Sequence, residues 1–197
     1  MLAGCAATTP DSGAALGQPA DRRDLTVPTT LNEPAAIGRA AEVAALEQAI
    51  LALGPGIDSE EAARAARIAY SHTDVLVQQY RITDPPLIHN MKVNAGLKPR
   101  GLCWHWAEDV ENRLVAENFT TLELHRAIAN HDVAFRIEHS TAIISRKGDD
   151  MYAGIVLDPW RFGGKLHWVR TPADEDYRWH PQQAVLAQKA ERLARAN

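Results

Sequence analysis

Apolar side chains first recur at helical spacing between Pro34 and Leu53. Val43, Leu46, Ile50 and Leu53 follow one another at intervals of three and four, so they share one stripe of a helix. Gly54-Pro55-Gly56 stops that helix. Asp58-Ser59-Glu60-Glu61 predicts the next start, with Asp58 as cap and Glu61 three residues on as the return partner of a capping box. This second helix runs to about Tyr80, with Ala62, Ala65, Ala69, Leu76 and Tyr80 on one face, and ends before Asp84-Pro85-Pro86. The alanines allow close approach, which predicts a packed helical hairpin. Leu87 to Arg100 reads as irregular, with Asn90, Asn94, Gly96 and Pro99. A helix follows from Leu102 to Ala116, where Ala107, Val110 and Leu114 share a face with Cys103. Strands are predicted over Thr120–Ala129, His139–Arg146, Met151–Asp158 and Leu166–Arg170, and a last helix over Pro181–Ala196. Helices early and strands late give an α+β class.

Length and composition narrow the function classes. The 197 residues suit one domain, residues 34–197, behind a tail. The formal net charge is −4 and no Lys/Arg block stands out, so a basic footprint for nucleic acid is missing. The sequence holds two cysteines, Cys5 and Cys103, too few for a disulfide framework. Leu2-Ala3-Gly4-Cys5 fits the lipobox of bacterial lipoproteins, in which the cysteine sulfur carries the lipid. Ala6 to Pro34 is rich in Ala, Thr, Pro, Gly and Asp, and reads as a flexible tether. With an export signal ahead of Met1, the domain is expected at the periplasmic face of a membrane or the cell exterior, anchored through Cys5. Without one, the expectation is cytoplasmic.

Candidate chemistry comes from Cys103, His139 and Asp158, which stand in the chain order of a thiol-based triad. Cys103 opens a helix, His139 opens a strand and Asp158 closes one. Lys147-Gly148-Asp149-Asp150 suits a two-residue type II′ turn centred on Gly148-Asp149. That register sets His139 directly opposite Asp158 on one face, with Cβ atoms about 4.5–5.5 Å apart. At the start of a helix, unpaired backbone N–H groups and the helix dipole favour a thiolate, and the Cys103 N–H is available to an oxyanion. Each residue also has an ordinary reading: a small core cysteine, a strand-end histidine, an aspartate in a turn. Cys103, His105, His139, Asp158 and His167 form a rival set of metal ligands, without the spacing of known zinc motifs. Trp104, Trp160 and Trp168 are candidates for walls of a substrate groove; packing accounts for them equally well. A tethered lipoprotein that binds a peptide or glycan in that groove, and makes no bond, is the competing function.

Gly101-Leu102-Cys103-Trp104 at a helix start, His139 at a strand start and Asp158-Pro159 at a strand end together resemble the transglutaminase-like branch of the papain-like cysteine hydrolases. The resemblance spans about Leu87 to Trp168. It implies a nucleophile helix packed on an antiparallel sheet, and no cofactor. It also implies a Cys103 thiolate that attacks an amide carbonyl, His139 that shuttles the proton, and Asp158 that orients His139. Water then gives hydrolysis and an amine gives acyl transfer. Peptides, proteins or peptidoglycan stem peptides are the substrates that the expected location suggests. Such enzymes commonly add an oxyanion-binding side chain before the cysteine. No Gln stands there, which leaves Asn94 and Asn90 as candidates.

Overall fold

The computed structural model describes residues 33–196; the expected lipid site at Cys5 and the tether up to residue 32 lie outside them. The elements follow in the order α1 (Glu33–Leu51), α2 (Ser59–Tyr80), α3 (Pro86–Asn94), α4 (Cys103–Val115), β1 (Leu122–Ala129), β2 (His139–Arg146), β3 (Ile155–Asp158), β4 (His167–Arg170), β5 (His180–Pro181) and α5 (Gln182–Ala196). The strands form one antiparallel sheet in the order β4-β3-β2-β1-β5. The architecture is α+β.

The stripe read along α1 is the buried one. Leu46 and Ile50 are fully enclosed, and Val43 and Leu53 pack against the same core. The capping box at α2 forms only in half. Asp58 accepts the Glu61 N–H at 2.9 Å, but the Glu61 carboxylate turns across to the turn before β1. There it accepts the backbone N–H and hydroxyl of both Thr120 and Thr121 at 2.5–2.9 Å. Burial works against its charge, yet these four donors pull its pKa down to about 2. Glu61 thereby ties the helical hairpin to the sheet.

Strand alternation divides the core into two. Ala142, Ile144, Ile155 and Leu157 face α2 and α4, where they meet Ala65, Ala69, Trp106, Val110 and Leu114. Ile143 and Val156 face the other way, against Met151 and Trp179. β2 is buried along almost its whole length because both faces are covered.

Two expectations need correction here. Leu87–Arg100 is not irregular throughout, because α3 begins at Pro86 with Pro85 as its N-cap residue. Proline is well suited to that first turn, so the pair read as a stop is a start; α2 itself ends at Tyr80, capped by Arg81 at φ +55°. The hairpin between β2 and β3 is also longer than a two-residue turn. Asp149 N bonds Arg146 O at 3.0 Å, which makes Gly148 the third residue of the turn, at φ +85°. Asp150 then caps a short 3₁₀ turn, Met151–Ala153, before β3 begins. Ala142 therefore faces Leu157, not Ile155, and the register is displaced by two residues from the expected one. A two-residue displacement keeps every side chain on its expected face, whereas one residue would have reversed them.

Candidate active site

His139 and Asp158 lie on the same face of adjacent strands, diagonally offset rather than directly opposed. The offset lets the far ring nitrogen reach the carboxylate: His139 Nε2 donates to Asp158 Oδ2 at 2.7 Å, and both side chains are 1% exposed. His139 Nδ1 is buried without a hydrogen-bond partner. Cys103 begins α4, which packs on β2. Its sulfur makes a long contact of 3.6 Å with the Glu138 carbonyl, the residue before His139. Thiol, imidazole and carboxylate are thus gathered at one end of β2. Burial alone would lower the His139 pKa. The Asp158 charge and hydrogen bond, reinforced by the neighbouring Cys103, outweigh burial and raise it to about 9.

Aromatic rings fix the imidazole plane. Trp160, Tyr177 and Trp179 lie with ring centroids 4.6, 4.6 and 5.3 Å from that of His139. Asp158 is fixed as tightly. Its Oδ1 accepts the backbone N–H of Trp160 and Arg161, both at 3.1 Å, and its Oδ2 also accepts Arg161 Nε at 3.0 Å. Burial opposes its charge, but His139 and Arg161 hold its pKa below the usual carboxylate value. Arg161 in turn bonds Asp174 at 2.6 Å, and Asp174 accepts the Trp179 indole N–H at 2.9 Å. Arg161 and Asp174 escaped the sequence reading. Asp158-Pro159-Trp160-Arg161 carries the signal of an aspartate capping its own turn, but nothing local points to Asp174.

The loop that presents Cys103 is held from three sides. His105 Nδ1 accepts the N–H groups of Gly101 and Leu102 at 3.2 and 3.1 Å. The Trp106 indole donates to Gly101 O at 3.1 Å. His89, buried on α3, bonds Arg100 O through Nε2 at 2.9 Å. Gly101 sits at φ +121°, and a Cβ there would lie 2.4 Å from His89 Nε2. Only glycine suits both the backbone angle and the space. As the first helical residue, Cys103 has a backbone N–H with no intrahelical acceptor.

A cleft of about 800 Å³ opens onto His139. Of the three tryptophans expected to wall a groove, Trp160 lines it, and Trp104 and Trp168 do not. Trp168 packs on the core and donates to the Tyr70 hydroxyl at 3.0 Å; Trp104 is half exposed beside His105 and Arg100. Asn90 Oδ1 accepts the Trp160 indole N–H at 3.1 Å, which fixes the amide and leaves its NH₂ as the side that could donate. Asn94 is exposed at the end of α3, and neither asparagine lines the cleft. The backbone N–H of Cys103 is a further donor at the start of α4. Among the described residues, no three His, Cys, Asp or Glu side chains converge as a metal-holding set. No protein-family profile, curated protein or solved structure matches this chain.

Proposed function

We propose that this protein is a cysteine hydrolase or acyltransferase acting on amide bonds, with Cys103 as nucleophile. His139 is its proton carrier, and Asp158 is the residue that holds the imidazole. One observation carries the reading. The buried carboxylate takes His139 Nε2 at 2.7 Å and leaves the other ring nitrogen, Nδ1, unpaired at the end of β2 where the thiol lies. His89 is as deeply buried and also leaves Nδ1 unpaired; His139 differs in having a buried carboxylate on its other nitrogen and the Cys103 thiol beside it.

In the reaction, the Cys103 thiolate attacks the carbonyl and the oxyanion gathers at the N-terminus of α4. The leaving amine takes its proton from the His139 imidazolium. Arg161 and Asp174 keep Asp158 ionised and fixed, so that the ring cannot turn. A helix that bears the cysteine and packs on an antiparallel sheet bearing His and Asp supports a transglutaminase-like, papain-like core. Attachment to a membrane through a lipid on Cys5, with the domain in the cell envelope, is part of the same proposal and rests on Leu2-Ala3-Gly4-Cys5. Mass spectrometry of the protein from its native membrane, read for a lipid adduct on Cys5, tests it.

The decisive test of the chemistry is the alkylation rate of Cys103 against pH in a Cys5→Ala protein. A thiol that reacts at pH 6 and slows in His139→Ala supports the ion pair. A thiol inert until about pH 8.5, the ordinary cysteine value, or indifferent to His139, overturns it. The aromatic floor of the cleft favours one other reading, a lipoprotein that binds a peptide or glycan without reacting. Tight ligand binding by a protein with an inert Cys103 would select it.

A further inference from the structure

The cleft touches His139 but not Cys103. It therefore extends from the imidazole side of the pair, not from the sulfur. In acyl transfer the group beside the imidazole is the one that exchanges a proton with it, the amine that leaves or enters. The walls on this side are mostly apolar and open to solvent, with Asn130, Arg136, Arg161 and Asp176 also in the lining. Leu87 and Ile88 in the first turn of α3 are 53% and 44% exposed. Phe135 and Ile137, in the connection between β1 and β2, are fully and 59% exposed, and Phe162 is 56% exposed. Five large apolar side chains converging on one opening, with Trp160 and Tyr177 at its floor, form the kind of patch that marks a binding site.

We propose that this cleft binds an apolar or aromatic side chain on the amine side of the scissile amide, so that the enzyme selects leaving or entering amines by that group. The proposal rests on the triad reading above. In the first step the carbonyl carbon forms a bond to the Cys103 sulfur and breaks its bond to nitrogen, and the amine departs with the proton from His139. In the second step an amine, or water, attacks the thioester carbonyl. It passes its proton to His139, and Cys103 leaves as the thiolate. The same cleft serves the departing and the entering amine.

The test uses the full chain carrying Cys5→Ala. p-Nitrophenyl acetate is the acyl donor, and glycinamide or phenylalaninamide is the acceptor. The p-nitrophenolate burst reports acylation of Cys103. The yield of acetylated amine over acetate, corrected by uncatalysed aminolysis of the same ester, reports the cleft. We expect phenylalaninamide to capture the acetyl group on the order of tenfold better than glycinamide, as a filled apolar pocket discriminates. Phe135→Asp and Ile137→Asp, at exposed positions, should bring that ratio close to one, with p-nitrophenolate release still dependent on Cys103. A ratio near one in the parent protein, or one that neither variant lowers, overturns this inference and leaves the triad standing. No p-nitrophenolate release above the uncatalysed rate, or release that survives Cys103→Ala, overturns the triad and this inference with it.

Discussion

Replacing Asp158 by Asn exchanges one oxygen for an NH₂ group and preserves the shape. In the native arrangement Oδ1 accepts two backbone N–H groups, and Oδ2 accepts His139 Nε2 and Arg161 Nε. The two backbone donors fix the remaining oxygen of the Asn, so its NH₂ faces the two other donors. His139 can meet it only by shedding the Nε2 proton and moving to the neutral form that carries hydrogen on Nδ1, toward Cys103. With the Asp158 charge gone, burial pulls the ring below its ordinary value of 6.5, from the native value of about 9. That change removes about 3 kcal/mol of preference for the imidazolium. A group whose pKa is raised by folding stabilises the fold fully below its unfolded value and loses that contribution as pH rises through the folded one. The stability gap between native protein and variant should therefore be open at pH 6–7 and shrink by about 3 kcal/mol by pH 10. Urea unfolding at the two pH values measures the gap, and imidazole ¹⁵N shifts report the protonation of His139 directly. An imidazole that stays charged at pH 7 in the variant, or a gap that does not depend on pH, would refute the reasoning. Alkylation of Cys103 at pH 6 should fall in parallel.

Gly101→Ala should destabilise the fold by about 1–3 kcal/mol, through a forced φ and a Cβ pressed on His89. It should also slow Cys103 alkylation, since the same loop presents the thiol. Thermal unfolding and alkylation kinetics check both. Glu61→Gln should cost about 2–4 kcal/mol in urea unfolding at pH 7 by leaving a Thr121 donor unmet. The Glu61 pKa is depressed to about 2, so its contribution is full above the ordinary value of 4.5 and is lost as pH falls toward 2. The difference from the native protein should vanish over that interval, with Cys103 reactivity untouched at neutral pH. Trp168→Phe loses the 3.0 Å bond to Tyr70 and should cost about 1 kcal/mol; any change in amine selectivity would put Trp168 in the substrate path after all.

The sequence was most legible where one local signal settles the structure. The stripe of α1, the Asp58 cap and the Gly101 helix entry are each written in a few consecutive residues. The His139–Asp158 partnership was found through a hairpin register that was wrong by two residues, and it survived because face depends on parity alone. The same slip decided which ring nitrogen meets the carboxylate, a detail that no turn motif encodes. α3 went unread because Pro85-Pro86 signals an end as strongly as a beginning. Glu61 was assigned to its own helix because a capping box is local, whereas its real donors lie some sixty residues away. Asp174 was missed for the same reason. Nonlocal polar partners leave no periodic trace, and the tryptophans resemble one another until packing separates the one in the cleft from the others.

Glu61 also bears on what could be cut from the molecule. A fragment starting at Leu87 would contain the thiol, the imidazole and the carboxylate, and by motif it is the natural piece to express. Excision of α1 and α2 would strand two amide and two hydroxyl donors at Thr120 and Thr121. It would also bare the indole of Trp106, which meets the Tyr80 ring edge-on at 4.7 Å between centroids, and leave Trp168 without Tyr70. The segment that resembles a self-sufficient enzyme is held in shape by a neighbour outside the resemblance, so the fragment that carries the three residues and the folding unit have different boundaries.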